Sequence, residues 1–254
     1  MKDFNGYIKK LHAALQEKLF FIDKIDWYKY DLVIDFGCAT GILLNEVHKV
    51  AKFNRTKCVG YDISKEMLDI ARSNYGSLDF TDDLEYVKKL VSKSNRAAII
   101  FSTVLHEIGE DNNTWKEIYG LMSSCDTVII RDMIGPDSAE NGPVDKYLRK
   151  YIISKAAEWQ VQAFERKYGR IHDTISLYRF LLMNEFVDNY MSELEEDYFS
   201  VPWNQIYLIL KETHDIIYWR LYTLPYRKKQ VKELFNYDMI LPTHKEIIFI
   251  KNKS

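Results

Sequence analysis

The sequence predicts an α/β protein built on an open, mostly parallel β-sheet. A short apolar run, Leu32 to Ile34, ends at Asp35 and is followed at once by a turn with glycines at positions 37 and 41. An amphipathic run, Ile42 to Val50, comes next, so the order is strand, glycine turn and helix. Three further apolar runs of strand length follow, at residues 57–61, 97–101 and 126–130. Strands that alternate with helical patterns are typical of a parallel sheet.

The glycine turn predicts a ligand-binding loop at the carboxyl edge of this sheet. Gly37 and Gly41 lack a Cβ and accept positive φ, which suits a backbone that approaches a ligand closely. The spacing is G-x-x-x-G with Ala39 inside it, so it matches neither the dinucleotide fingerprint G-x-G-x-x-G nor a lysine-containing phosphate loop. Asp35 adds negative charge at the strand end and favours a cationic or amine-bearing ligand.

The second strand, Lys57 to Tyr61, ends in an acid, Asp62, that lies 21 residues after Gly41. In nucleotide-binding α/β folds, an acid at about this distance beyond the glycine turn binds the ribose hydroxyls. Ser64 is a candidate N-cap for the helix that carries Met67. The turn and the acid therefore predict a site for a ligand that contains a ribose.

With these motifs the chain resembles the class I S-adenosylmethionine-dependent methyltransferases over residues 30 to 133. The resemblance is carried by Asp35 to Gly41, by Val59 to Ser64 with Met67, and by Phe101 to His106. It implies a Rossmann-like, seven-stranded, mostly parallel sheet with an antiparallel last strand, and it implies S-adenosyl-L-methionine as the cofactor. The chain is accordingly expected to be an enzyme that moves a methyl group to an acceptor by in-line displacement.

The resemblance also implies which residues bind the cofactor. The glycine turn is expected to wrap its methionine part, Asp62 to bind its ribose, and Met67 to pack on its adenine. The acid expected to contact adenine follows the short candidate strand Ser77 to Phe80, where Asp82 competes with its two neighbours and is our choice. The expected cofactor-binding residues are Asp35, Gly37, Cys38, Ala39, Thr40, Gly41, Asp62, Ile63, Met67, Asp82, Ser102 and Thr103.

The domain organisation follows from a change of pattern after residue 133. Residues 1–133 and 225–254 are expected to form the cofactor-binding domain, with residues 1–29 as an N-terminal helical segment. Residues 134–224 show helical periodicity and many aromatics, and we interpret them as a helical cap inserted between the fifth and sixth strands. In the family the sheet closes with a helix and a hairpin, for which the candidates are Tyr226 to Phe235, Met239 to Leu241, and Glu246 to Ile250.

His106 is the candidate catalytic residue, because it follows the fourth strand and the unperturbed pKa of a histidine suits proton transfer near neutrality. A base is needed only where the acceptor must lose a proton, and the alternative is that His106 holds the loop beside Glu107. Arg131 and Asp132 end the fifth strand and are interpreted as an ion pair, with orientation of the acceptor as the alternative. His172, His214 and His244 are isolated in sequence, so no metal site is predicted.

The composition limits the chemical class of the methyl acceptor and indicates the cellular compartment. The net charge of −2 and a nearly neutral cap argue against DNA, which leaves a small molecule or an RNA as acceptor. No apolar run is long enough to cross a membrane, and the three unpaired cysteines fit a reducing cytoplasm. Two alternatives stay open: a non-catalytic cofactor-binding subunit of a larger assembly, and another transferase that uses the same cofactor. Ala39 disfavours a nicotinamide-dependent oxidoreductase.

Overall fold

The computed structural model describes residues 15–51, 56–109, 111–184 and 190–252 of the chain. Two compact units emerge from the contacts within the chain. The first unit contains the described parts of residues 1–132, 202–220 and 246–254. The second unit contains the described parts of residues 133–201 and 221–245. Each unit has its own hydrophobic core and is treated by itself below.

Seven strands within the described residues form one mixed sheet. They are β1 Leu32–Phe36, β2 Lys57–Tyr61, β3 Asp79–Thr81, β4 Ala97–Ser102, β5 Thr127–Met133, β6 His214–Tyr222 and β7 His244–Lys251. The strand order is β3-β2-β1-β4-β5-β7-β6. The first five strands are parallel, and Val33 of β1 faces Cys58 of β2 and Ala98 of β4. This topology confirms the predicted Rossmann-like fold class.

The last strand, β7, runs antiparallel to its neighbour β6, as bonds at its two ends show. The N–H of Thr243 donates to the carbonyl of Tyr222, at the end of β6, over 3.1 Å. The N–H of Asn252 donates to the carbonyl of Thr213, at the start of β6, over 2.8 Å. The antiparallel last strand was predicted.

Helices connect the strands and fill the inserted region. They are α1 Leu15–Lys18, α2 Ile42–Ala51, α3 Lys65–Asn74, α4 Leu84–Lys93, α5 Asn112–Ser124, α6 Lys146–Ile153, α7 Glu158–Tyr168, α8 Thr174–Met183, α9 Tyr190–Glu195, α10 Trp203–Leu210 and α11 Pro225–Phe235. Across the described residues, every helix is too short or too polar to span a lipid bilayer.

The core of the first unit forms where helices cover the central strands. Every residue of β1, β4 and β5 is buried, as expected for parallel strands that are covered on both faces. Helix α2 contributes an apolar stripe that includes Leu44 and Val47, both fully buried. A buried bond of 2.5 Å between the hydroxyls of Tyr30 and Thr127 ties the segment before β1 to the start of β5.

The second unit has a core made largely of the aromatics that the sequence places in the inserted region. Phe164, Tyr178 and Phe180 are fully buried there, and α11 adds Val231 and Phe235. The boundaries of this unit differ from those of the predicted cap, because residues 202–220 group with the first unit and residues 221–245 with the second. A substrate-recognition role for the inserted region stays a prediction.

One expected strand is wrong, and one strand was missed. Residues 239–241 are not a strand, and the sixth strand is instead β6, inside the region that was interpreted as helical. Most of β6 is exposed on both faces, so it lacks the alternating burial that marks a half-buried strand. Its β-branched and aromatic run, Ile216 to Trp219, was the available signal.

The predicted N-terminal helical segment, residues 1–29, lies partly outside the described residues. In its described part, α1 ends at Lys18 and is followed by turns.

Candidate functional site

The turn between β1 and α2 has a backbone conformation that requires glycine. Gly37 and Gly41 have φ values of 76° and 75°. A Cβ on Gly37 would lie 2.3 Å from the side chain of Val104, and one on Gly41 would lie 2.7 Å from the ring of Phe80. The N–H of Gly37 donates to the carbonyl of Tyr61 over 2.8 Å, which ties the turn to the end of β2. The turn is therefore tightly packed and fixed in position.

Asp62 joins this turn to the next helix. Its carboxylate accepts hydrogen bonds from the N–H groups of Ala39 and Ser64, both over 2.8 Å. The hydroxyl of Ser64 caps α3 by accepting a bond from the N–H of Met67. Between them, the side chain of Ile63 is 81% exposed. An acid, an exposed apolar side chain and a half-buried methionine thus lie next to the glycine turn.

The structure separates the roles of the three polar residues that follow β3. The carboxylate of Asp83 caps α4 by accepting a bond from the N–H of Tyr86 over 3.1 Å. The hydroxyl of Thr81 accepts a bond from the N–H of Asp83 over 3.0 Å. Asp82 is exposed beside them. Because its neighbours have local structural roles, Asp82 stays our choice as the acid that contacts adenine.

Asp35, at the end of β1, is a buried carboxylate in an unfavourable electrostatic environment. Burial raises its pKa to about 7, and the nearby charge of Asp62 adds to the rise. The ammonium of Lys18 and the backbone N–H of Leu44 act in the opposite direction. A positively charged ligand next to Asp35 would stabilise its ionised form, as the sequence led us to expect.

We expect Asp35→Asn to stabilise the protein at pH 8 and to stabilise it by less than half as much at pH 5. The folded protein holds a proton on Asp35 between its unfolded pKa of 3.8 and about 7, so stability falls as the pH rises through this window. Asparagine removes this loss, because it stays neutral and has a similar shape. Urea unfolding of both proteins at the two pH values measures the difference. An equal effect at both would contradict a raised pKa.

Three buried polar atoms near the turn have no hydrogen-bond partner among the described residues. They are Oδ2 of Asp35, Oγ1 of Thr40 and Oγ of Ser102. Unpaired buried polar atoms are rare and unfavourable, and they call for a ligand or water that supplies the missing bonds. An amino acid moiety with its ammonium and carboxylate can do so. The residues present therefore fit the methionine end of S-adenosylmethionine.

The segment after β4 is fixed by a single buried carboxylate. Oδ2 of Asp132 accepts bonds from the N–H groups of Val104 and Leu105, over 3.0 and 2.7 Å. Its Oδ1 lies 2.6 Å from Nδ1 of His106, and both side chains are buried. Thr103, just before this segment, has a φ of 58°, an uncommon value for a residue with a branched side chain. Asp132 thus orients His106.

Charged residues of α1 also lie at this end of the sheet, and sequence reasoning missed them. Burial and the charge of Arg131 lower the pKa of Lys18 to about 8, while the charges of Asp35, Asp132 and Glu107 act to raise it. Glu17 lies 3.7 Å from the guanidinium of Arg131, which is itself almost fully buried. Nothing in the sequence around α1 marks these residues, because only the fold brings α1 to β5.

Cys38 is a packing residue inside the turn. Its side chain is buried, and its sulfur would lie 2.7 Å from a Cβ placed on Gly60, which leaves room only for glycine there. Burial raises the pKa of the Cys38 thiol. A thiol that stays protonated is a weak nucleophile. In the described part of the chain, no three His, Cys, Asp or Glu side chains come together in a way that could hold a metal ion.

Comparison with known proteins agrees with this geometry. A family model described as "Methyltransferase domain" matches residues 33–124, which include the glycine turn, Asp62 and His106. Among solved structures, a SAM-dependent methyltransferase from Archaeoglobus fulgidus is similar with a TM-score of 0.53 and 13% identity, covering 99% of this chain and 100% of that one.

Two further solved structures have the same fold. The plantazolicin methyltransferase BamL, solved with a triazolic desmethylPZN analog and SAH, has a TM-score of 0.52 and 13% identity, covering 98% of this chain and 90% of its own. The methyltransferase domain of bacterial-CtHen1-C has a TM-score of 0.50 and 14% identity, covering 94% of this chain and 98% of its own.

The fold and the glycine turn define a methyltransferase of the Rossmann-like class. Residues 33–124 therefore carry a methyltransferase domain, and the fold is that of the S-adenosylmethionine-dependent methyltransferases, whose cofactor is S-adenosyl-L-methionine. It follows that the chain acts on a methyl acceptor.

Proposed function

We propose that the glycine turn, Asp62 and the end of β4 hold S-adenosylmethionine, and that His106 acts on the acceptor. The bridging position of Asp62 is the observation that carries this proposal. Its two oxygens accept one backbone N–H each. A carboxylate has about four acceptor positions, so Asp62 can still accept bonds from two ribose hydroxyls.

The other residues complete the proposed cofactor site. Ile63 and Met67 offer apolar surface for the adenine, and Asp82 accepts a bond from its amino group. Asp35, Thr40 and Ser102 gain partners for their unpaired buried atoms from the methionine part. The remaining contacts come from the backbone of Gly37, Cys38, Ala39 and Gly41, and from Thr103. The bound cofactor supplies a methyl group that its sulfonium has already activated.

The role of His106 depends on the acceptor. An acceptor that must lose a proton needs a base placed within hydrogen-bond reach, and such a base typically contributes 10² to 10⁴ in rate. We propose a small molecule as the acceptor and an RNA as the alternative. A small-molecule acceptor is supported by the structure of BamL, which was solved with a triazolic desmethylPZN analog and SAH. The match to BamL covers 98% of this chain.

The free thiols support a cytoplasmic setting for the enzyme. Cys38, Cys58 and Cys125 are all buried and unpaired. Reduced cysteines are the rule in the cytosol, where disulfides are rare.

We expect calorimetry to show that the purified chain binds S-adenosylmethionine and S-adenosylhomocysteine but not NAD, and that Asp62→Ala weakens both affinities at least tenfold. Asp62→Ala removes the acceptor for the ribose and loosens the turn at Ala39. Asp31→Ala is the matched control, because Asp31 also accepts backbone N–H bonds, from Asn95 and Arg96, but precedes β1 at the other edge of the sheet.

The outcomes separate the alternatives. Equal weakening by Asp31→Ala would mean that Asp62 acts only through stability. Binding of both adenosyl compounds, without methyl transfer from labelled cofactor to any small molecule or RNA offered, would favour the non-catalytic subunit. NAD binding would contradict the assignment of the site.

A further inference from the structure

We propose that Asp132 is a positioning residue that fixes the tautomer of His106, so that Nε2 is the basic nitrogen of the ring. The inference rests on the proposed function of His106 and gives Asp132 a role that differs from the ion pair with Arg131 that the sequence suggested. Asp132 lies six residues after Asp126, at the end of β5, while His106 follows β4. Only the pairing of these two strands brings them together.

The geometry of the Asp132 carboxylate determines the direction of its bond to His106. Oδ2 already accepts two backbone N–H groups, from Val104 and Leu105, and these bonds favour the ionised carboxylate. An ionised carboxylate can only accept hydrogen bonds, so the 2.6 Å contact at Oδ1 requires a proton on Nδ1 of His106. In the neutral ring the lone pair is then on Nε2.

The same carboxylate holds the backbone that carries the histidine. Thr103 has a φ of 58°, and the next two N–H groups both point to Asp132. The hydroxyl of Thr103 donates to the carbonyl of Ser102 over 2.6 Å, which adds a local bond to the turn. Asp132 is fully buried, so this arrangement is shielded from water. One residue therefore sets both the position of the ring and its protonation pattern.

The chemical consequence concerns one proton. When a protonated acceptor forms its bond to the methyl carbon, the electron pair of the broken carbon–sulfur bond stays on sulfur. The proton of the acceptor passes to Nε2 of His106, and the ring becomes an imidazolium. Asp132 keeps its negative charge and stabilises that cation, in the way that a buried aspartate supports the histidine of a serine protease.

The test is ¹⁵N NMR of the full chain with labelled histidine rings, without cofactor or acceptor. The nitrogen shifts report directly which ring nitrogen carries the proton. At a pH where the ring is neutral, we expect wild-type His106 to be protonated on Nδ1. In Asp132→Asn we expect the Nδ1–H form to lose its dominance, because the amide removes the charge that selects this tautomer. This measurement needs neither the acceptor nor turnover.

Asp126→Asn is the matched control. Like Asp132, Asp126 accepts a hydrogen bond from a backbone N–H, that of Ala97, over 3.0 Å. It differs from Asp132 in its position, because it lies just before the start of β5 and not at the end of that strand. We expect this variant to leave the His106 signals unchanged. S-adenosylmethionine binding to each variant, measured by calorimetry, shows that the cofactor site is still folded.

Different results would overturn the role of Asp132 and the proposed cofactor site. A wild-type His106 that is protonated on Nε2, or a tautomer that Asp132→Asn leaves unchanged in a protein that still binds cofactor, would overturn the role of Asp132. Absence of cofactor binding in the wild type would instead overturn the proposed site. If Asp132→Asn does not fold, the wild-type tautomer alone decides the inference.

Discussion

His106→Ala is expected to lower the rate of methyl transfer about 10² to 10⁴-fold while the affinity for S-adenosylmethionine stays within about threefold. Asp132 orients the side chain of His106 at the end of β4. Removing the imidazole takes away the base and leaves the glycine turn and Asp62 intact. The rate is measured with labelled cofactor and the acceptor that the transfer assay identifies, and the affinity by calorimetry.

A matched variant separates catalysis from general damage. His172 is an exposed histidine in the second unit, and its ring contacts two sequence neighbours, the carbonyl of Arg170 and the carboxylate of Asp173. His172→Ala should keep the wild-type rate. A wild-type rate in His106→Ala would show that the acceptor needs no base and that His106 serves to hold its loop, the alternative that the sequence left open.

Gly37→Ala is expected to lower the free energy of unfolding by about 2 to 4 kcal/mol and to abolish cofactor binding at micromolar concentration. Two effects combine: a positive φ of 76° costs an alanine about 1 to 2 kcal/mol, and the added methyl collides with Val104 at 2.3 Å. Relief of that collision would displace the segment that leads to His106. Urea unfolding and calorimetry measure the two losses.

Gly120→Ala is the control for this change. Gly120 lies inside α5, and a Cβ there would meet no atom within 4 Å. An alanine in a helix interior is favoured over glycine by about 0.5 to 1 kcal/mol, so this variant should be more stable than the wild type. A Gly37→Ala protein as stable as the wild type would mean that the turn adapts freely.

Local sequence signals predicted the first half of the fold well. The strand Lys57–Tyr61 has the expected bounds, and β1 and β4 extend the expected runs by one or two residues. These strands are buried on both faces, so each appears in sequence as an unbroken apolar run. The signal is weaker at β6, an exposed edge strand whose short run Ile216 to Trp219 lies between charged residues.

In the candidate site, too, some residues could be predicted from local sequence signals and others could not. The glycine turn and Asp62 could be predicted because their spacing along the chain is fixed by one βαβ unit. Asp132 and Lys18 could not, because they reach His106 and Asp35 only through the pairing of β4 with β5 and through the position of α1. The interpretation of Arg131 and Asp132 as an ion pair rested on adjacency alone and stays a prediction.

The strand order has a consequence for synthesis on the ribosome. β7 is the last described strand in sequence, yet it lies between β5 and β6. A growing chain that has emerged only as far as β6 therefore exposes the apolar edge of β5, where every residue is buried in the finished sheet. Such an unpaired edge is prone to pair with other chains. We therefore expect co-translational aggregation, or capture by chaperones, to be concentrated in the interval before residues 244–251 emerge.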